Sequence, residues 1–227
     1  MQAWDQLWRS KEGQALWPEP NPFVVSLLQE FKKDGKDKVL DIGFGMGRHA
    51  ILFAKEGFDV YGIDTSPTAL EQTVERSQKE KVAPKLRIGE MSDLPFDDSF
   101  FDLILAWNVL YHGTADYIRK AVSEIERCLK PSGYLLCTLI STRHKRYGLG
   151  SEIERNTFVI AEDREKCHPH HYFDLEEINQ YFESFVLLQC EDIEQLDLAE
   201  NLRPGSFHWH ILARYRGPRA EAVDLTI

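Results

Sequence analysis

Three glycines stand at alternate positions in VLDIGFGMGRHA (residues 39–50), directly behind an apolar run and one aspartate. Glycine can adopt positive φ, and it lacks the Cβ that would hold a ligand away from the backbone. Such a loop can cradle a phosphate or a polar small molecule. Asp41, just before it, suits an ammonium group better than a phosphate, directly or through water. Arg48 occupies the place where a dinucleotide-binding G-x-G-x-x-G has its third glycine. Asp64 closes VYGIDTS (residues 60–66), and a carboxylate there can accept hydrogen bonds from both hydroxyls of a ribose. Each such bond is worth roughly 1.5–3 kcal/mol when well formed. Its plainer role is to cap the next helix, a task for which Ser66 is better placed.

Two further stretches carry titratable side chains. WNVLYHGT (residues 107–114) presents Asn108, Tyr111 and His112. His112 can act as a base near neutral pH, or simply hydrogen-bond at the start of a helix. KCHPHHYF (residues 166–173) holds Cys167, His168, His170 and His171. Structural zinc sites need a second ligand pair elsewhere in the chain, and none is evident, so no metal is expected. His170 and His171 are expected instead on a substrate-facing wall.

These residues must be positioned by regular elements. Short apolar runs at 38–42, 58–63, 85–88, 101–107 and 134–140 read as strands, on their β-branched and aromatic content and flanking turn residues. Helical patterns lie between them. Ser66-Pro67 is an N-cap followed by proline at the first helical position, opening a helix over 67–79. Ile118, Ala121, Val122, Ile125 and Leu129 fall at helical spacing, with Lys130 to Gly133 expected to end that helix. A helix starting near Arg48 closes at Gly57. Strand alternating with helix predicts a parallel sheet covered on both faces. The segment 141–172 is polar and weakly periodic, and reads as a lid or substrate loop. Asp174 and Glu177 then form a capping box, followed by strands at 185–191 and 207–215 that should pair antiparallel. Trp4, Leu7 and Trp8 share one helical face in the N-terminal segment, which also holds Trp17. That face can pack on the domain, close over a ligand, or do both.

The fold class expected is α/β: a Rossmann-like doubly wound sheet, mostly parallel, with an antiparallel C-terminal strand. A single domain over 1–227 would comprise an N-terminal helical cap (1–35), a cofactor-binding core (36–140), a substrate or lid loop (141–175) and a C-terminal helix with a β-hairpin (176–227). A net charge of −10 opposes binding to nucleic acid, the stretch RHKRY (residues 143–147) being the best basic patch. No apolar run is long enough to span a membrane. Four scattered cysteines without a CxxC pair suit a reducing cytoplasm.

Taken together, VLDIGFGMGRHA, VYGIDTS, RIGEMSDLPFDDSFFDLI and CLKPSGYLL resemble the class I S-adenosylmethionine-dependent methyltransferases, in the family's order and spacing. The glycine-loop and HHYF segments look like small bacterial members, some near the tellurite-resistance type. The resemblance implies S-adenosyl-L-methionine as co-substrate, with Asp41, Gly43, Gly45 and Gly47 at its methionyl end. Asp64, followed by Thr65, would hold the ribose. Glu90 and Met91 would meet the adenine, where the family commonly has aspartate in place of the glutamate. Ala106 and Trp107 would lie near the sulfonium, Trp107 having core packing as its alternative. The family has no obligatory catalytic residue. His112, Tyr111, His170 and His171 are the candidates for a base or a positioning group. The acceptor is expected to be a small molecule, with its reacting atom and the oligomeric state left open. Two other readings are a nicotinamide-dependent Rossmann oxidoreductase and a non-catalytic S-adenosylmethionine-binding protein.

Overall fold

Three helices precede the first strand: α1 (Gln2–Arg9), α2 (Lys11–Gln14) and α3 (Pro22–Lys33). The computed structural model describes residues 2–16, 18–161, 167–197 and 203–218, so Trp17 and Lys166 of the stretches above lie outside the described residues. Each of the later two helices begins on a side-chain cap. Ser10 Oγ accepts from Gly13 N–H, and Asn21 Oδ1 from Phe23 N–H with Pro22 in the first turn.

Strand then alternates with helix through β1 (Lys38–Ile42), α4 (Arg48–Lys55), β2 (Asp59–Asp64), α5 (Pro67–Lys79), β3 (Lys85–Ile88), β4 (Phe101–Ala106), α6 (Ala115–Cys128) and β5 (Leu129–Ile140). The order β3-β2-β1-β4-β5 is parallel throughout. All six residues of β4 are buried, which explains why FDLILA does not alternate apolar with polar. Strand order reverses between β1 and β4. The ends of those strands therefore open a crevice, the usual ligand position in an open α/β sheet. Helix α6 buries Ile118, Ala121, Val122, Ile125 and Cys128 on one face, as its spacing predicts.

That helix ends at Cys128, earlier than expected. Lys130 to Gly133 lie within β5, where Ser132 takes φ +64° and the β4–β5 register shifts between Phe101 and Leu103. The residues that resembled a helix stop form an irregular strand start.

The segment expected to be a plain loop holds a small sheet of its own, ordered β6 (Ser151–Glu154), β7 (Thr157–Val159) and β8 (His170–His171). The strands are two to four residues long, too short to show a period in the sequence. Helix α7 (Leu175–Tyr181) follows, with Asp174 Oδ1 accepting from Glu177 N–H at 2.8 Å. Strands β9 (Phe185–Asp197) and β10 (Arg203–Tyr215) complete the main sheet, β10 pairing antiparallel with both β5 and β9. Among the described residues no helix is long and apolar enough to cross a membrane.

Candidate active site

The glycine loop leaves β1 with Gly43, Gly45 and Gly47 at φ +66°, +52° and +75°. A Cβ on Gly43 would lie 2.7 Å from Val109 Cγ2, and one on Gly47 would lie 2.2 Å from Thr73 Cγ2. Side chains are therefore excluded both by backbone strain and by space. Four of the five amides from Gly43 to Gly47 are already committed within the protein. Gly43 and Phe44 N–H donate to Ile63 C=O, Gly47 N–H to Phe44 C=O, and Gly45 N–H to Asp64 Oδ2 at 2.8 Å. A pyrophosphate cradle needs such amides aimed at the ligand, so this loop is a poor dinucleotide site.

A cavity of about 540 Å³ opens above the loop, walled by Gly43, Gly45, Asp64 and Thr65 on one side and by Glu90 and Met91 on another. Asp41 and Gly47 lie beneath rather than on that wall. Asp41 is 2% exposed, and its Oδ2 has no hydrogen-bond partner. Asp64 lines the cavity while its other oxygen, Oδ1, accepts from Ser66 N–H at 2.9 Å. It thus shares the helix-capping role with Ser66, whose Oγ accepts from Ala69 N–H. Burial raises the Asp64 pKa, and hydrogen bonds from Ser66, Gly45 and Thr65 amides oppose that rise.

Glu90 accepts a hydrogen bond from Tyr117 Oη at 2.6 Å. Burial and this contact push the Tyr117 phenol up to about 12, so it remains a donor. Tyr117 is a wall residue that spacing along the sequence could not single out. Trp107 lines the cavity and also packs edge-on to His210, with centroids 4.9 Å apart. Ala106 is a correction: it is fully buried in the core and does not line the cavity.

The roof comes from helix α1. Asp5 Oδ1 accepts from Ser66 Oγ at 2.7 Å and from Thr68 N–H at 3.1 Å, clamping α1 to the start of α5. The Trp8 ring lies 3.1 Å from the Cβ position of Gly45. Trp4 stacks on Trp8 and meets His112 edge-on at 5.1 Å. The tryptophan face therefore packs on the domain and closes over the cavity at once.

At the far end, Asn108 adopts φ +59°, a left-handed conformation that asparagine tolerates better than most residues. Thr138 Oγ1 holds it by accepting from its N–H and donating to its Oδ1. The chain then turns so that Tyr111 and His112 line the cavity. Residues 111–113 run beside 169–171: His171 N–H donates to Tyr111 C=O, and Gly113 N–H to Pro169 C=O. This pairing brings His112, His168 and His170 together, with one ring nitrogen of each within 4.8 Å of the others. The missing partner for the KCHPHHYF histidines is thus His112 itself. His171 is a second correction. It faces away from the cavity, between Thr157 Oγ1 at 2.7 Å and Glu177 Oε1 at 3.0 Å, and is 1% exposed. Because Glu177 is spent on His171, the expected capping box is only half formed.

Burial raises Asp41 to about 7, against the opposing charge of Arg48. A carboxyl whose folded pKa exceeds its unfolded value stabilises fully below the unfolded pKa of 3.8, and that stability is lost as pH rises through about 7. Asp41→Asn keeps the neutral shape at every pH. The difference in urea midpoint between Asp41→Asn and the unmodified protein is therefore expected to grow in favour of the variant between about pH 4 and 7 and to level off above that. Parallel unfolding curves would contradict this assignment.

Residues 40–137 match the family model described as a methyltransferase domain. An uncharacterized methyltransferase of Schizosaccharomyces pombe is 33% identical over 131 residues, covering 53% of this chain and 45% of that protein. The chain spans about half the length of the curated relatives it matches. Among solved structures, a SAM-dependent methyltransferase of Methanosarcina mazei superposes with a TM-score of 0.73 at 22% identity, covering 88% of this chain and 100% of that one. Residues 40–137 are thus a methyltransferase-type domain. The chain's doubly wound sheet is that of the class I methyltransferases. The 1,6-didemethyltoxoflavin-N1-methyltransferase of Burkholderia thailandensis, solved with 1,6-didemethyltoxoflavin and S-adenosylhomocysteine bound, shares the fold with a TM-score of 0.67 at 17% identity over 94% of this chain and 87% of that one.

Proposed function

We propose that this protein transfers the methyl group of S-adenosylmethionine to a small-molecule acceptor held at the histidine end of the cavity. One observation carries the reading: a single cavity of about 540 Å³ runs from the glycine loop and Asp64 to His112 under the tryptophan roof. The residues present fit the donor. The loop offers close approach with four of its five amides already engaged, and Asp41 leaves a buried carboxylate oxygen unpartnered beneath it. Gly43 and Gly45 would border the methionyl end, with Asp41 acting from beneath the loop. Asp64 and Thr65 would hold the ribose, and Glu90 and Met91 the adenine.

When bound, S-adenosylmethionine supplies a methyl group on a sulfonium, already activated by its own charge. What the chain contributes is position. Holding an acceptor in line against that methyl is worth up to ~7–11 kcal/mol. Trp4 and Trp8 exclude water from above, Tyr117 orients Glu90, and Asn108 aims the 108–112 turn at the cavity. Tyr111 and His112 are the side chains best placed to touch the acceptor. The small-molecule reading is supported by the roofed shape of this cavity and by the negative overall charge.

Calorimetric titration with S-adenosylhomocysteine is expected to show one site per chain, and titration with NADH to show no heat. Heat from NADH alone would overturn the reading. Label transfer from methyl-labelled S-adenosylmethionine to a panel of thiols, amines and hydroxyl compounds then identifies the acceptor class. Tight donor binding with no transfer to any of them would favour a non-catalytic binding protein.

A further inference from the structure

The three histidines at the cavity end are arranged as ligands. His112 Nε2 lies 3.1 Å from Asn108 C=O, so that nitrogen carries the proton and Nδ1 carries the lone pair. His170 Nδ1 lies 3.0 Å from His168 C=O, which by the same logic leaves the lone pair on Nε2. A ring nitrogen donating to a backbone carbonyl is the arrangement that orients metal-binding histidines and raises their basicity. His168 Nε2 and His112 Nδ1 are 3.1 Å apart. Two nitrogens on one tetrahedral zinc ion, each bonded at 2.0–2.1 Å, stand about 3.3 Å apart. The His112–His168 pair already has that spacing, and the third ligand atom lies within 4.8 Å.

The scaffold is rigid where it must be. His170, in β8, is 1% exposed and pairs with Phe158 of β7, and it also bridges to His112 through the backbone. Trp4 covers His112 and His168 from above, with ring centroids at 5.1 and 6.1 Å. A closed structural site would bring a fourth protein ligand, whereas His112, His168 and His170 stand as three among the described residues. His112 and His168 both line the cavity. Three imidazoles with one position open is the pattern of a catalytic rather than a structural zinc site.

We propose that His112, His168 and His170 bind a divalent transition-metal ion of the zinc class, with its open coordination position facing the cavity. Imidazole sets of this kind favour zinc over magnesium or calcium, which prefer oxygen ligands. Ligands for the open position are compounds with an ionisable oxygen or sulfur. Where the methyl-transfer reading holds, that ligand is the acceptor. The ion-binding site itself does not depend on that reading.

The test uses full-length protein carrying no polyhistidine tag, stripped with a chelator and titrated with Zn²⁺ by calorimetry and with Co²⁺ by visible absorption. One ion per chain and the intense visible bands of four-coordinate cobalt are expected. Partly exposed His168 is the variant of choice: His168→Ala should weaken Zn²⁺ binding by about 100-fold or more, with unfolding in chelator unchanged. His112→Gln should do the same. Absence of stoichiometric Zn²⁺ binding, or an affinity in both variants unchanged from that of the unmodified protein, would show a metal-free hydrogen-bonded histidine chain and overturn the proposal. Titrating S-adenosylhomocysteine into chelator-treated protein reads the donor site separately, so the two failures are distinguishable.

Discussion

Asp64→Asn is expected to weaken S-adenosylhomocysteine binding by about 100-fold and to lower stability by about 2 kcal/mol. The two effects share one cause. Asp64 holds the glycine loop through Gly45 N–H at 2.8 Å and the start of α5 through Ser66 N–H at 2.9 Å. An amide of the same shape has one accepting oxygen, so its NH₂ must face the other N–H. One buried donor then loses its partner, and loop and helix are no longer held at a common point. The ribose would also lose its charged acceptor. In a chain of 227 residues the stability loss corresponds to about 4–8 °C in Tm. Thermal unfolding and calorimetry on the same preparation check both halves. A variant with wild-type affinity for S-adenosylhomocysteine would remove Asp64 from the donor site whatever its stability.

Trp8→Ala is expected to be the most destabilising single substitution in the roof. Trp8 is 7% exposed, packs over Gly45 and stacks on Trp4 with centroids 5.9 Å apart. Truncating a buried tryptophan costs roughly 3–5 kcal/mol, and the lower figure applies here because one face of the ring borders the cavity. That predicts a fall in Tm of about 6–12 °C. Stabilisation by S-adenosylhomocysteine should also shrink, because binding energy adds to stability in proportion to affinity. Asp5→Ala breaks the polar clamp alone and should reproduce the loss of affinity with a smaller loss of Tm. If Trp8→Ala kept full ligand stabilisation, the roof would be packing and nothing more.

The parts of the fold legible in the sequence are those with local punctuation. Ser66-Pro67 marks the start of α5 because an N-cap and a first-turn proline act within three residues. The glycine loop is legible because positive φ at Gly43, Gly45 and Gly47 is a demand on residue type. The structure differs where a signal has two readings or none. Lys130 to Gly133 can end a helix or bend a strand, and only pairing with β4 decides. Ala106 and Trp107 are neighbours at a strand end, and alternation sends one inward to the core. The meeting of His112 with His168 spans 56 residues. It depends on strands of two to four residues inside a polar segment, so neither period nor spacing could reveal it. His171, one residue from His170, points to the opposite side because β8 is a strand.

The clamp between Asp5 and α5 has a consequence for how the site exchanges its contents. The floor of the cavity is bonded to itself through the Ile63 and Phe44 carbonyls and Asp64, so opening from below would mean breaking the central sheet. Helix α1 has eight residues and hangs on one carboxylate, one pair of indoles and the hydrogen bond from Arg9 Nε to Thr68 Oγ1. It is therefore expected to open as a unit of its own, at a free energy below that of the whole domain. The amide protons of α1 therefore exchange with solvent well before those of β1 and β4. For the donor proposed above, residence time is expected to follow the lifetime of this one helix on the surface.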